Sequence, residues 1–166
     1  MGLFSLLKIA EAHYKTLVDE SNSKWKIILL FLILPVTISG GLLWFGLFIT
    51  SDVMTTIISM LAILIGFSIN AVFILIDSYP DETTRDIELL FVGTRNITLY
   101  SIVFGITTLL LSGLVLVIVL NNNLGLSDSL MAIISSVIFI MVFHYFVTLL
   151  LLPARLYAIV EIRSSN

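Results

Sequence analysis

At 166 residues, 59% hydrophobic and 11% charged, the chain carries less than half of the ~25% charge usual in a soluble domain. Eight Lys and Arg against eleven Asp and Glu leave a net charge of −3, which excludes a basic surface for direct contact with nucleic acid. With no cysteine, disulfides, thiolate metal sites and thiol redox chemistry are excluded as well.

In chain order, residues 2–20 (GLFSLLKIAEAHYKTLVDE) read as an amphipathic helix. Leu3, Leu6, Leu7, Ala10, Tyr14 and Leu17 recur at helical spacing, with Lys8, Glu11, Lys15 and Asp19 mostly opposite. Such a helix lies in the lipid interface or packs on the protein's own cytosolic surface. The first apolar run begins near Ile27, is too long for a signal-peptide core and is followed by no small-x-small site, so no cleavable leader is expected. Met1-Gly2 opens like a myristoylation signal, but Leu6 stands where Ser or Thr is required. Lys24-Trp25-Lys26 marks an interface.

The first span is expected over about 27–49. Pro35 and Ser39-Gly40-Gly41 predict a kink, and Trp44, Phe45 and Phe48 an outer aromatic belt. Thr50-Ser51-Asp52 is short enough to predict a tight helical hairpin. In the second span, 53–77, twenty-four residues precede the terminal charge of Asp77. At ~1.5 Å per residue they reach ~36 Å, enough to cross a ~30 Å hydrocarbon core. Residues 78–96 form the largest polar segment between spans. Pro80 breaks the helix, Thr83 or Thr84 with Asp86 can cap a new one, and a short helix is expected over about 84–92. The third span is expected over 97–120, with an outer loop from Asn121 to Ser127. The fourth runs over 128–152, its start suited by Asp128. Beyond Pro153, residues 153–163 continue at helical period.

The expected organisation is residues 1–23 as an interfacial or cytosolic helix and 24–163 as one four-span domain. The fold class is all-α: an integral membrane four-helix bundle with an N-terminal amphipathic helix and a cytosolic C-terminal helical extension. Lys8, Lys15, Lys24 and Lys26 precede the first span, Arg85 and Arg95 separate the second from the third, and Arg155 and Arg163 follow the fourth. All eight fall on one side, so the positive-inside rule predicts an inner-membrane protein with both termini and the 78–96 loop in the cytoplasm. The sequon Asn96-Ile97-Thr98 would then lie on the unglycosylated side.

Away from their ends the spans hold no Asp, Glu, Lys or Arg, which argues against proton-coupled transporters and the small exporters built on a buried glutamate. His144 is the one intramembrane ionisable residue. Asn70 and Ser101 fall at similar depth, and the three can form a polar cluster. That cluster would be either a proton-sensitive or ion-conducting site or, on the plainer reading, interhelical hydrogen bonding worth on the order of 1 kcal/mol per contact. Small residues form stripes: Ala62 and Gly66 leading to Asn70, then Gly105, Thr108 and Ser112 beyond Ser101, then Ala132 and Ser136 beyond Ser129. They serve packing within one bundle or contact with another copy.

In the loop, Asp81, Glu82, Arg85, Asp86 and Glu88 read as a solvated face or as a dock for a cytosolic partner; their spacing matches no EF-hand. Phosphate-loop, zinc-hydrolase and serine-hydrolase motifs are absent. His13 and His144 fall at different predicted depths, so no metal site is expected; beyond Asn70 and His144 no polar groups converge at one depth, so no cofactor, small-molecule substrate or enzymatic activity is expected either.

The segments GFSINAVFILID, ELLFVGTRNITLYSI and FHYFVTLLLLPARLYAIVEIR resemble small four-span bacterial membrane proteins of anti-phage defence systems, of the Kiwa (KwaA) type. The likeness spans about residues 60–163. It implies a membrane-embedded oligomer that senses a disturbance at infection and communicates with a cytosolic nucleic-acid-binding partner; it assigns no site residue. The functional expectation is a non-enzymatic, homo-oligomeric membrane subunit that anchors or signals to a cytosolic protein, the alternative a small channel or pore-forming effector.

An epitope tag on either tail, or beside Arg85, is expected to be unreachable by antibody in intact cells and reachable after permeabilisation. Labelling from outside would overturn the orientation.

Overall fold

A computed structural model describes residues 3–21, 23–77, 85–120 and 127–164. These form five helices and no strand: α1 (Leu3–Ser21), α2 (Lys24–Trp44), α3 (Ser51–Asp77), α4 (Arg85–Leu120) and α5 (Asp128–Ser164). Helices α2 to α5 are long and apolar enough to cross a membrane, with mean hydropathies of 2.3 to 2.7 over their apolar windows. The protein is an all-α, multi-pass membrane protein. Helices suit this role because hydrocarbon offers no water to backbone groups, and a helix satisfies its own.

Two boundaries differ from those expected, and the expected kink takes a specific form. Helix α2 stops at Trp44 rather than running to residue 49. The Gly46 amide bonds Leu43 O at 2.9 Å and the Leu47 amide bonds Leu42 O at 3.0 Å, with Gly46 at φ 73°. This is a Schellman stop, and glycine adopts its left-handed backbone without penalty. The chain then runs non-helically to Thr50 and is pinned by the Ile49 amide, which donates to Ser135 Oγ at 3.1 Å. Consequently α2 and α3 are not the expected hairpin: among the described residues they do not pack on each other, and α5 contacts both.

The second difference is that the short helix over 84–92 and the span over 97–120 are one helix, α4. No proline stands there, Gly93 carries the largest penalty at ~1 kcal/mol, and the Thr94 and Thr98 hydroxyls bond the carbonyls of Leu90 and Thr94 one turn back. The expected kink near Pro35 takes the form of a π-helical turn over Leu29–Ile33, in which the Leu34 amide bonds Leu29 O. A proline cannot donate to the carbonyl four residues earlier, and widening the preceding turn relieves the clash of its ring. Pro153, by contrast, is absorbed inside α5.

Helix α5 is the centre. Inside the protein lies 39% of its apolar window, against 17–28% for the other three. Its Tyr145, Thr148 and Leu152 are fully buried, and it touches α2, α3 and α4. At one end α3, α4 and α5 close a second core of Ala71, Leu75, Phe91, Leu156 and Ile159. Helix α1 lies at this end too, against α4 and the start of α2. With it come the chain positions of all the Lys and Arg residues, so this is the basic end.

Gly105 marks the closest approach. A Cβ there would stand 2.9 Å from Ile65 Cγ1 and from Cε2 and Cζ of buried Tyr145. Gly105→Ala is expected to cost about 1–3 kcal/mol in detergent unfolding, the range for overpacking a core. Gly66→Ala, where nothing stands within 4 Å, is expected to leave the stability of a single chain unchanged. Equal stability of both variants would contradict this packing.

Candidate functional site

The site is built from what lipid forbids. Pro35 has no N–H to offer the Phe31 carbonyl. That carbonyl instead accepts from His144 Nδ1 of α5 at 2.9 Å. A carbonyl only accepts, so Nδ1 carries the proton and the Nε2 of a neutral ring is an acceptor. Nε2 meets Tyr100 Oη of α4 at 2.8 Å, and the phenol donates. One imidazole thus joins the backbone of α2 to a side chain of α4.

Tyr100 presents its ring to α1. His13 lies flat on it, with ring centroids 4.0 Å apart and planes inclined by 4°. Phe31 meets His13 edge-on at 5.8 Å and His144 at 5.5 Å, while Phe104 stands 4.7 Å from His144. Tyr14 closes the outer side, 5.9 Å from Tyr100. His13 is fully buried, and neither ring nitrogen has a hydrogen-bond partner. One turn on, Thr16 Oγ1 accepts from Asn96 Nδ2 of α4 at 3.2 Å. Helix α1 is therefore docked on the bundle by an aromatic stack and a hydrogen bond. Leu7 and Tyr14, on the apolar face read from the sequence, remain exposed, and the docked face is rotated to His13 and Leu17.

Burial, then the electrostatic influence of His144 and Arg155, hold the His13 imidazole far below its usual 6.5, at about 3. The groups around it are Tyr14 on α1, Phe31 on α2, Tyr100 on α4 and His144 and Arg155 on α5.

The cluster expected from the sequence does not assemble. His144 takes Tyr100 and the Phe31 carbonyl. Ser101 is buried but donates to Thr98 O of its own helix at 2.8 Å. Asn70 is exposed on the outer face of α3. His13 and His144, expected at different depths, pack on the same tyrosine, because α1 folds back over the basic end. Gly105, Thr108 and Ser112 point into the protein; Ala132 and Ser136 are half-buried, with Ser136 O accepting from Ser39 Oγ at 3.1 Å. Ala62 and Gly66 face outward. Of the acidic loop, Asp81, Glu82 and the Thr83/Thr84 cap lie outside the described residues, as does the Asp86 side chain, while Arg85 and Glu88 are exposed at the start of α4. The outer loop at 121–126 is likewise outside them. Among the described residues no three His, Asp or Glu stand close enough to hold a metal ion.

Sequence reasoning missed His13, Tyr100 and the Phe31 carbonyl. A signal was available: Pro35 always frees the carbonyl four residues before it, and His144 needs such an acceptor. Compared with protein families, curated proteins and solved structures, the chain matches none.

Two outcomes follow. His144→Ala strips partners from both Tyr100 and Phe31 and is expected to cost about 1–3 kcal/mol in detergent unfolding; Tyr100→Phe, which keeps the stack on His13, is expected to cost ~1 kcal/mol. Docked His13 has its value lowered from 6.5 to about 3, so between these values the undocked helix binds more protons. Docking is at full strength above about pH 6.5 and weakens as pH falls toward about 3. Hydrogen-exchange protection of α1, corrected for intrinsic rates, is expected to drop from about pH 7 to about pH 5, and His13→Phe is expected to remove that dependence.

Proposed function

We propose that this chain is a non-enzymatic, homo-oligomeric inner-membrane subunit whose basic end, with both termini in the cytoplasm, anchors and signals to a cytosolic protein. The observation that carries this reading is the docked α1. On this reading the helix held by a stacked histidine with neither ring nitrogen bonded exchanges between docked and released arrangements, and α4 and α5 extend from the same end. A two-state element coupled to the membrane-embedded His144 pair is what a signalling subunit needs. The likeness to Kiwa-type subunits supports placing it in anti-phage defence.

Oligomerisation is supported by α3. Its outward face carries Asp52, Thr55, Thr56, Ser59, Ala62, Gly66 and Asn70. The hydroxyls of Thr55, Thr56 and Ser59 are satisfied by carbonyls one turn back, so lipid tolerates them. The Asn70 amide has no such bond and gains one from a second copy. The same face favours the alternative, a small channel, in which these residues line a conduit between copies.

Gentle detergent pull-down from the native host is expected to recover a cytosolic protein, and recovery of none would count against the anchoring role. Asn70→Leu is expected to lower the oligomer seen by native mass measurement. Ion flux through liposomes that is abolished by the same substitution would favour the channel.

A further inference from the structure

We propose that a recess at the basic end, between α1, α2 and α5, is a binding site for an anionic phospholipid. The recess has a volume of about 260 Å³. Each of the three helices gives it one polar residue and, one turn away on the same face, one leucine: Ser21 with Leu17, Lys26 with Leu30, and Arg155 with Leu151. Ile27 and Phe31 complete the apolar wall. Among the described residues the lining therefore holds two cations and a hydroxyl but no carboxylate.

This pairing identifies the occupant. A small inorganic anion uses only the cations and leaves the leucines without a partner. A wholly apolar guest leaves the exposed Lys26 ammonium facing hydrocarbon. A phosphodiester headgroup with its glycerol and first methylenes matches both parts. Basic recesses between transmembrane helices at the cytoplasmic side take anionic lipid headgroups for this reason. Positions 13, 17 and 21 share one face of α1, and Phe31 lies both in the recess wall and edge-on to His13. The lipid therefore fits only while α1 is docked, and its binding favours the docked helix.

The two tryptophans allow a direct test, because exposed Trp25 adjoins Lys26 and Trp44 lies at the opposite end of α2. Trp44→Phe leaves Trp25 as the single indole. The full-length variant is reconstituted in phosphatidylcholine vesicles with a low fraction of brominated phosphatidylglycerol or brominated phosphatidylcholine. At equal fractions the anionic lipid is expected to quench Trp25 preferentially, by about fivefold in apparent affinity for each cation engaged. Lys26→Gln, at an exposed position that does not depend on folding tolerance at Arg155, is expected to remove most of the preference; Arg155→Gln is expected to act likewise. Lys24→Gln, outside the recess, is expected to leave it intact. Equal quenching by the two lipids would overturn the site. So would equal losses in Lys24→Gln and Lys26→Gln, the mark of a general surface field. Displacement of the lipid by millimolar inorganic phosphate would also overturn it, since the apolar wall would then contribute nothing.

Discussion

The structure depends on a carbonyl that has lost its helical donor. Pro35 withholds an N–H from Phe31, and no water is present in hydrocarbon to replace it. His144 supplies the donor from α5 and, through its other nitrogen, receives the Tyr100 hydroxyl from α4. Because the ring is planar and both nitrogens are used, the azimuths of α2, α4 and α5 are set together. The π-helical turn before Pro35 aims the carbonyl, and Phe31 and Phe104 hold the ring in an aromatic box. Helix α1 adds a fourth partner by laying His13 on the reverse side of the same tyrosine.

That arrangement is unequal in strength. The His144 bonds are enclosed and fully satisfied, whereas His13 is buried with neither nitrogen bonded. An unbonded buried polar group carries a desolvation cost, which weakens the hold of α1 on the bundle. The proposed signalling role places its moving part in this helix, at the end where the chain's cations gather. An anionic lipid seated between α1, α2 and α5 would strengthen the docked arrangement at that joint.

The bundle also divides its small residues by direction. Gly105 lets α4 approach Ile65 of α3 and Tyr145 of α5, while a Cβ at Gly66 would meet nothing within 4 Å among the described residues. The hydroxyls of Thr55, Thr56 and Ser59 on the outer face of α3 turn back to their own helix, while Asn70 stays exposed on the same face. The inward small residues are explained by contacts within one chain, and the outward ones form the face proposed to meet a second copy.

The sequence by itself determined that four apolar runs cross the membrane as helices, since no other backbone arrangement of that length satisfies itself in lipid. It also determined that every Lys and Arg gathers at one end, that Pro35 disturbs the first span and that His144 needs a partner at its depth. Counting residues yields depth but not azimuth. Asn70 and Tyr100 were equally eligible by depth, and only the packing of α5 between α2 and α3 turned His144 toward one and left the other outside. The return of α1 onto Tyr100, the Schellman stop at Gly46 and the fusion of two expected segments into α4 were likewise decided by tertiary structure. Each turns on a contact between residues far apart in the chain, or on a local balance of about 1 kcal/mol that packing overrides.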